Sequence, residues 1–465
     1  MLDLMRRKTP DLASVAAHHR LNPTLSWWHL MALGVGAIVG TGIYTLVGVG
    51  ANLAGPGVIL SFLVAGAICA CAALAYAEVA TMIPLSGSAY TYSYVVLGEI
   101  IAWVVAWSLI LEYSLVVSAV AVGWSGYVTG FLSSIGLPIP AALAAGPDAG
   151  GFLNLPAMAI IAVVAGMLML GTRESATVNA ILVVVKILAL LLFVGVALPH
   201  FNAAQFHPFM PYGFAAHDIG GVKHGVMAAA AIIFFAFYGF DAISTAGEEA
   251  KNPGRDLPIG IVGSMVVCTL LYVAVAAAAV GSMPFGVYAH STEPLALILR
   301  ELGNGGVSIV IGAAAIIALP TVILAFLYGQ SRIFFAMARD GLLPQRLALV
   351  SPRTGTPVRI TLVTAVLVAI LAGLVPLDEI AALANAGTLL AFTAVAVCMI
   401  ALRRREPDRP RRFRTPLVWL VGPAAILGCL YLFSSLSSKT QIFFLCWNVA
   451  GLAYYLIRKL REKAP

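Results

Sequence analysis

The sequence predicts an all-α membrane protein with about twelve transmembrane helices. Of its 465 residues, 61% are hydrophobic and only 10% are charged, whereas soluble domains carry about 25% charged residues. Apolar stretches recur along almost the whole chain, and a helix needs about 20 such residues to cross the hydrocarbon layer. These observations exclude an ordinary soluble protein and favour one integral membrane domain.

Twelve segments have the length and apolar character of membrane-spanning helices. We number them as spans 1 to 12 in chain order. They lie at residues 29–53, 56–83, 99–130, 155–171, 175–198, 223–249, 258–283, 305–336, 357–376, 379–402, 416–436 and 440–458.

The basic residues lie almost entirely in alternate loops. With the N-terminus inside, only Lys223, Arg300 and Lys439 lie in outside loops, and Lys186 lies within a span. Since Lys and Arg favour the cytoplasmic side, both termini are predicted to be cytoplasmic, in the inner membrane of a bacterium. The net charge of +7 is therefore a topology signal rather than a sign of nucleic-acid binding. The basic run at 403–414 is also placed to meet anionic lipid head groups.

Two spans carry glycine near the middle of the membrane. Span 1 contains Gly40-Thr41-Gly42, and span 6 contains Gly239 close to Asp241. Glycine tolerates non-helical backbone, although small residues also serve close helix packing. Because the two features lie five spans apart, an odd number, they indicate an inverted repeat with paired interrupted helices.

Such a pair of interrupted helices suits a zwitterion. A half-helix that begins after Gly42 points free N–H groups and its positive end at the break, where a carboxylate binds. The outer half of span 6 ends near Phe235–Tyr238 with free carbonyls, which bind an ammonium. The pattern therefore predicts recognition of the backbone of an α-amino acid.

Three charged residues lie deep within predicted spans. Lys186 is near the middle of span 5, where burial favours loss of its proton and suits a proton-coupling role; the alternative is a structural Lys bonded to carbonyls. Glu112 in span 3 either pairs with a base, attracts a cationic substrate or stays neutral. Asp241 lies just inside the span 6 break, and Glu248 at the inner end of that span suggests a gate network or a solvated helix end.

No catalytic or metal-binding motif accompanies these residues. The six cysteines all lie in apolar runs, which is typical of buried packing thiols. The chain has no HExxH sequence and no phosphate-binding loop. We therefore predict no enzyme activity, no metal and no cofactor other than protons as the coupling ion. An ion channel is disfavoured because the pseudo-symmetry is internal to one chain.

Five stretches resemble the amino acid–polyamine–organocation superfamily of transporters, in particular the bacterial twelve-helix form of its cationic amino acid transporter branch. They are GVGAIVGTGIY (34–44), PLSGSAYTYSY (84–94), LILEYSLVVSAVAVGWSGY (109–127), FFAFYGFDAISTAGEEAKNPGRDLPIGI (234–261) and GQSRIFFAMARDGLLP (329–344).

The resemblance implies a LeuT-like fold of two inverted five-helix repeats plus two C-terminal helices. The expected parts are a cytoplasmic tail (1–28), a transport core (29–402, with repeats 29–198 and 223–402) and a C-terminal part (403–465). The resemblance implies that Thr41 and Gly42 bind the substrate carboxylate and that Lys186 couples transport to protons. It implies that carbonyls near four residues hold the amine: Ile38, Phe235, Ala236 and Tyr238. Tyr238 departs from the family pattern, which leaves the class of substrate side chain open.

The sequence therefore predicts a secondary active transporter of L-amino acids, a proton symporter that works by alternating access. An amino acid exchanger or a polyamine carrier without net proton coupling is the alternative. The expected partners are a small-molecule amino acid and membrane lipids, with a small accessory membrane protein as a further candidate.

Overall fold

A computed structural model describes Arg7 and residues 25–84, 87–169, 176–245, 250–343 and 358–461. The α-helices of the first half are α1 Trp27–Ile38, α2 Thr41–Tyr44, α3 Leu46–Ala54, α4 Val58–Met82, α5 Ser88–Val96, α6 Glu99–Ser134, α7 Ala141–Ala144, α8 Leu155–Met169 and α9 Ala176–Ala197. Those of the second half are α10 Val226–Ile233, α11 Phe240–Thr245, α12 Pro253–Ser282, α13 Phe285–Tyr288, α14 Pro294–Glu301, α15 Gly305–Arg339, α16 Val358–Leu374, α17 Leu377–Arg405, α18 Val418–Ser435 and α19 Ser438–Arg461.

The chain is a helical, multi-pass membrane protein, as the sequence predicts. Among the described residues, 9 helical stretches are long and apolar enough to cross a membrane. Three shorter apolar helices, α1, α8 and α16, occupy further predicted spans. The outer faces of the long helices carry exposed Leu, Ile and Val side chains, which suit a lipid environment because lipid tails are as apolar as these groups.

Two spans are interrupted. In span 1, α1 ends at Ile38, Val39 and Gly40 are extended, and α2 begins at Thr41. In span 6, α10 is followed by a 3-10 turn at Phe234–Phe237, and Tyr238 is extended with ψ 153°. Gly239 then has φ +114°, which favours glycine because a side chain there would be strained. Each break therefore leaves helix ends inside the membrane domain.

The connection between spans 5 and 6 contains a β-hairpin that the all-α prediction did not include. Strands β1 (His217–Ile219) and β2 (Val222–His224) pair antiparallel. The two residues between them, Gly220 and Gly221, have φ +64° and +86°. Two positive φ values favour a tight hairpin turn whose twist matches that of the strands. Among the described residues, the all-α prediction thus fails in this hairpin, whose second strand reaches into the predicted start of span 6.

A hydrogen bond between loops is found at each end of the helix bundle. At one end, the Nζ of Lys223 donates to the carbonyl of Leu436 at 2.7 Å. At the other end, the N–H of Lys251 donates to the carbonyl of Leu25 at 2.8 Å. Within each contact, the two joined loops belong to the same side of the membrane by the charge pattern, the outer side for Lys223 and the cytoplasmic side for Lys251.

Glu78, at the end of α4, holds the connection between spans 10 and 11. Its carboxylate is 1% exposed and accepts from Arg403 at 2.6 and 2.7 Å. Arg411 lies 3.2 Å away, and the N–H of Thr415 donates at 2.8 Å. The basic run expected at lipid head groups therefore turns two of its arginines towards the protein.

Candidate functional site

The two interrupted helices pack directly against each other. A Cβ added at Gly42 would lie 2.2 Å from the Cα of Ala236. A Cβ added at Gly239 would lie 2.6 Å from the Cβ of Ala37 and 2.9 Å from the backbone nitrogen of Ile38. Only glycine permits this approach, because real Cβ contacts are never so short. The backbones of the two breaks consequently form one junction.

The junction brings together the residues that the sequence singled out for substrate binding. All of them are buried, with Ile38 at 2%, Phe235 at 4% and Tyr238 at 3% exposure. Thr41 is fully buried. The junction is therefore closed to solvent in this structure.

The beginning of α2 presents backbone N–H groups to the junction. Its first hydrogen bond runs from the N–H of Ile43 to the carbonyl of Gly40 at 3.2 Å. The N–H groups of Thr41 and Gly42 precede this bond and have no partner within the helix. Gly40 makes no side-chain cap. Such a helix end is electropositive and suits an anion.

Thr41 is positioned by span 3. Its hydroxyl lies 3.5 Å from the carbonyl oxygen of Val120. A Cβ added at Gly123 would be 2.3 Å from the methyl group of Thr41, so a larger residue in α6 would displace the threonine. The start of α2 is thus held in place by α6.

Two polar side chains that sequence reasoning missed bind the carbonyls of the breaks. The Tyr272 hydroxyl donates to the carbonyl of Ile38 at 2.8 Å. The Asn385 amide donates to the carbonyls of Ala231 at 2.6 Å and Ile232 at 3.1 Å. The available signal was a lone amide in the apolar sequence of span 10, where a buried polar group needs partners.

Lys186 joins span 5 to spans 1 and 8. It is fully buried, and its Nζ donates to the carbonyl of Gly36 at 2.8 Å and to the hydroxyl of Thr321 at 3.1 Å. The same hydroxyl donates to the carbonyl of Ala318 at 2.7 Å. Lys186 therefore lies beside the end of α1, close to the break but not within it.

The acidic residues have different surroundings. Glu112 is 1% exposed, and its Oε2 has no hydrogen-bond partner among the described residues. Asp241 accepts from the N–H of Gly239 and from the hydroxyl of Tyr113, both at 3.2 Å. It therefore stabilises the start of α11, which is a local structural role. Glu248 lies outside the described residues.

Comparison with known proteins gives the family of the chain. The profile of the amino acid permease family matches residues 25–453. The chain is 46% identical over 450 residues to the branched-chain amino acid permease BcaP of Bacillus subtilis, which covers 96% of this chain and 95% of that protein. It is 41% identical over 461 residues to the methylthioribose transporter of Bacillus subtilis, covering 98% of each.

A plant relative is more distant. The chain is 37% identical over 429 residues to cationic amino acid transporter 4, vacuolar, of Arabidopsis thaliana, which covers 88% of this chain and 68% of that protein. These matches confirm the resemblance carried by the sequence motifs, and with the paired interrupted helices they exclude an enzyme. The chain belongs to the amino acid permease family, within the amino acid–polyamine–organocation superfamily of transporters.

Proposed function

We propose that this permease is a secondary active transporter of L-amino acids that couples uptake to protons by alternating access. Its twelve spans would form two inverted five-helix repeats, 29–198 and 223–402, followed by two C-terminal helices. The contact between Gly42 and Ala236 carries the proposal, because it unites the breaks of corresponding spans. Paired broken helices near the midplane are where such carriers bind their substrates.

The proposed substrate is held by its backbone. Its carboxylate meets the N–H groups of Thr41 and Gly42 after Gly40, where the helix end is electropositive. Its amine meets backbone carbonyls near four residues: Ile38, Phe235, Ala236 and Tyr238. In the closed structure Tyr272 already donates to Ile38, so the carbonyls of span 6 are the main acceptors.

Neutral aliphatic side chains are the first substrate class to test. The relative with 46% identity is named a branched-chain amino acid permease. The site has apolar neighbours: a Cβ added at Gly40 would lie 3.5 Å from a methyl group of Val322, and the rings of Phe235 and Tyr238 lie 5.1 Å apart. Aliphatic groups gain from burial against such surfaces. The unpaired oxygen of Glu112 supports a cationic substrate as the alternative.

Lys186 is the proposed proton-coupling residue. Its Nζ binds span 1 through Gly36 and span 8 through Thr321. An ammonium donates to both acceptors at once and holds the spans together, whereas loss of its charge weakens both bonds. Protonation would thereby bias the closed arrangement. Glu248 is proposed to act in an inner gate.

The proposed setting is the plasma membrane of a bacterium, with both ends of the chain cytoplasmic. The inside position of nearly all Lys and Arg residues supports this orientation. Membrane lipids surround the exposed apolar faces, and a small accessory membrane protein stays a candidate partner.

The test is uptake into proteoliposomes with an imposed inward proton gradient. The panel contains labelled Leu, Ile, Ala, Lys and Arg, with methylthioribose and a polyamine as competitors. Gradient-driven accumulation of Leu or Ile supports the proposal. Uptake that needs unlabelled amino acid inside the vesicles identifies an exchanger. If none of the labelled amino acids accumulates, with or without unlabelled amino acid inside the vesicles, the amino acid substrate is overturned.

A further inference from the structure

Asn385 lies in the first third of α17 and is fully buried. Its Nδ2 donates to the carbonyls of Ala231 and Ile232 at the end of α10. Its Oδ1 accepts from the hydroxyl of Tyr238. One amide therefore satisfies the end of the outer half-helix of span 6 and also the phenol beyond the break.

The aromatic ring of Tyr238 is held from both sides. It packs edge-on against Phe234 with centroids 5.7 Å apart and is tilted against Phe235 at 5.1 Å. The ring contacts limit the rotation of the side chain, and Asn385 fixes its polar end. Since the residue is 3% exposed, the phenol has no water to replace this bond, and an unpaired buried hydroxyl is costly.

Span 10 packs closely against α6 beside Asn385. A Cβ added at Gly387 would lie 3.0 Å from the carbonyl oxygen of Ser108 and 3.1 Å from the Cβ of Glu112. Gly387 thus lets α17 pack directly against α6, which fixes the position of Asn385 relative to α6. The position of the Tyr238 side chain is therefore set by span 10 as well as by span 6.

We propose that Asn385 is a positioning residue that sets the range of accepted substrate side chains by holding the phenol of Tyr238 at the wall of the site. The proposal rests on the function proposed above. An amide is suited to this task because it donates twice and accepts once. Aspartate would place a carboxylate against two carbonyl oxygens, and leucine would remove the donor to the Ala231 and Ile232 carbonyls and the Oδ1 that accepts from Tyr238.

The experiment compares Asn385→Leu, Tyr238→Phe and the double variant with the natural protein. Thr393→Val is the matched control, because Thr393 is on the same helix and its hydroxyl donates to the carbonyl of Leu389 within that helix at 2.7 Å. Binding is measured as ligand-dependent thermal stabilisation of the purified full chain, and transport as KM and Vmax in proteoliposomes. The readout is the selectivity between two substrates, given as the affinity and the KM for Ala, each divided by the corresponding value for Leu.

We expect each single variant to shift this ratio by about fivefold in favour of Leu, because each breaks the hydrogen bond between Tyr238 and Asn385. The double variant should shift it no further, since both changes break the same contact. Thr393→Val should leave it unchanged. An unchanged ratio in Asn385→Leu, or additive shifts in the double variant, overturns the role of Asn385 alone. A natural protein that binds no amino acid overturns this role and the proposed function together.

Discussion

Gly42 and Ala236 touch through their backbones at the point where the two interrupted helices meet. A methyl group at position 42 would lie 2.2 Å from the Cα of Ala236, and backbone atoms cannot yield as a flexible side chain does. We therefore expect Gly42→Leu to abolish substrate binding by separating the breaks. The measurement is ligand-dependent thermal stabilisation of the purified variant. Substrate affinity equal to that of the natural protein would contradict the site.

A matched control for this substitution is available on the same span. Gly48 lies six residues further on, and a Cβ there would meet the carbonyl oxygen of Tyr288 at 2.9 Å. Gly48→Ala tests tight packing away from the junction. It should lower thermal stability while leaving the affinity of the remaining folded protein unchanged.

Lys186→Ala should abolish accumulation driven by a proton gradient. The change removes the ammonium and leaves the carbonyl of Gly36 and the hydroxyl of Thr321 without their donor, so no group responds to protonation there. Uptake is measured with and without the gradient. Lys186→Arg keeps the positive charge but not the readily lost proton, and it should fail in the same way. Full gradient-driven uptake by Lys186→Ala would refute the coupling role.

Tyr238→Ala should broaden the set of accepted side chains. The substitution removes the ring that packs on Phe234 and Phe235 and enlarges the space beside the break. The measurement is competition by a panel of amino acids against labelled Leu. Larger side chains should gain affinity relative to Ala, and an identical rank order of competitors would remove Tyr238 from the site.

Glu78→Ala should destabilise the protein by about 3 kcal/mol, because it removes the one carboxylate that pairs with two largely buried arginines, Arg403 and Arg411. The N–H of Thr415 also loses its acceptor. Thermal unfolding in detergent measures the loss. The control is Glu406→Ala, whose carboxylate is 45% exposed and pairs with Arg409; exposed pairs contribute about 0.5 kcal/mol. Equal unfolding temperatures of the two variants would contradict the importance of the buried network.

The sequence is sufficient for the spans and the breaks because both depend on local composition. Apolar length determines where a helix can cross lipid, and Gly40, Gly42 and Gly239 mark backbone that side chains would obstruct. The contacts of Asn385 and Tyr272 could not be predicted in this way. Each joins residues from different spans, and one sequence carries no direct record of which faces meet.

The hairpin at 217–224 and the contacts of Asp241 also lie beyond what local composition predicts, each for a specific physical reason. The hairpin at 217–224 depends on two consecutive glycines with positive φ, and its strands of three residues are too short to form a recognisable alternating pattern. The depth of Asp241 makes it a candidate for a charge or gate role, which stays a prediction, and the structure adds that its carboxylate accepts from the N–H of Gly239. Depth identifies a costly residue, but only its neighbours tell whether the charge serves the fold or the substrate.

The pairing of Glu78 with Arg403 also has a consequence for how the protein is made. The two residues are 325 positions apart, so Glu78 is synthesised well before Arg403. During insertion of the intervening spans, the carboxylate must stay hydrated at the membrane surface or carry a proton, since burial of an unpaired charge is costly. The end of α4 can therefore reach its final packing only after span 10 has emerged. A nascent chain truncated before Arg403 should accordingly remain protease-sensitive around the end of α4.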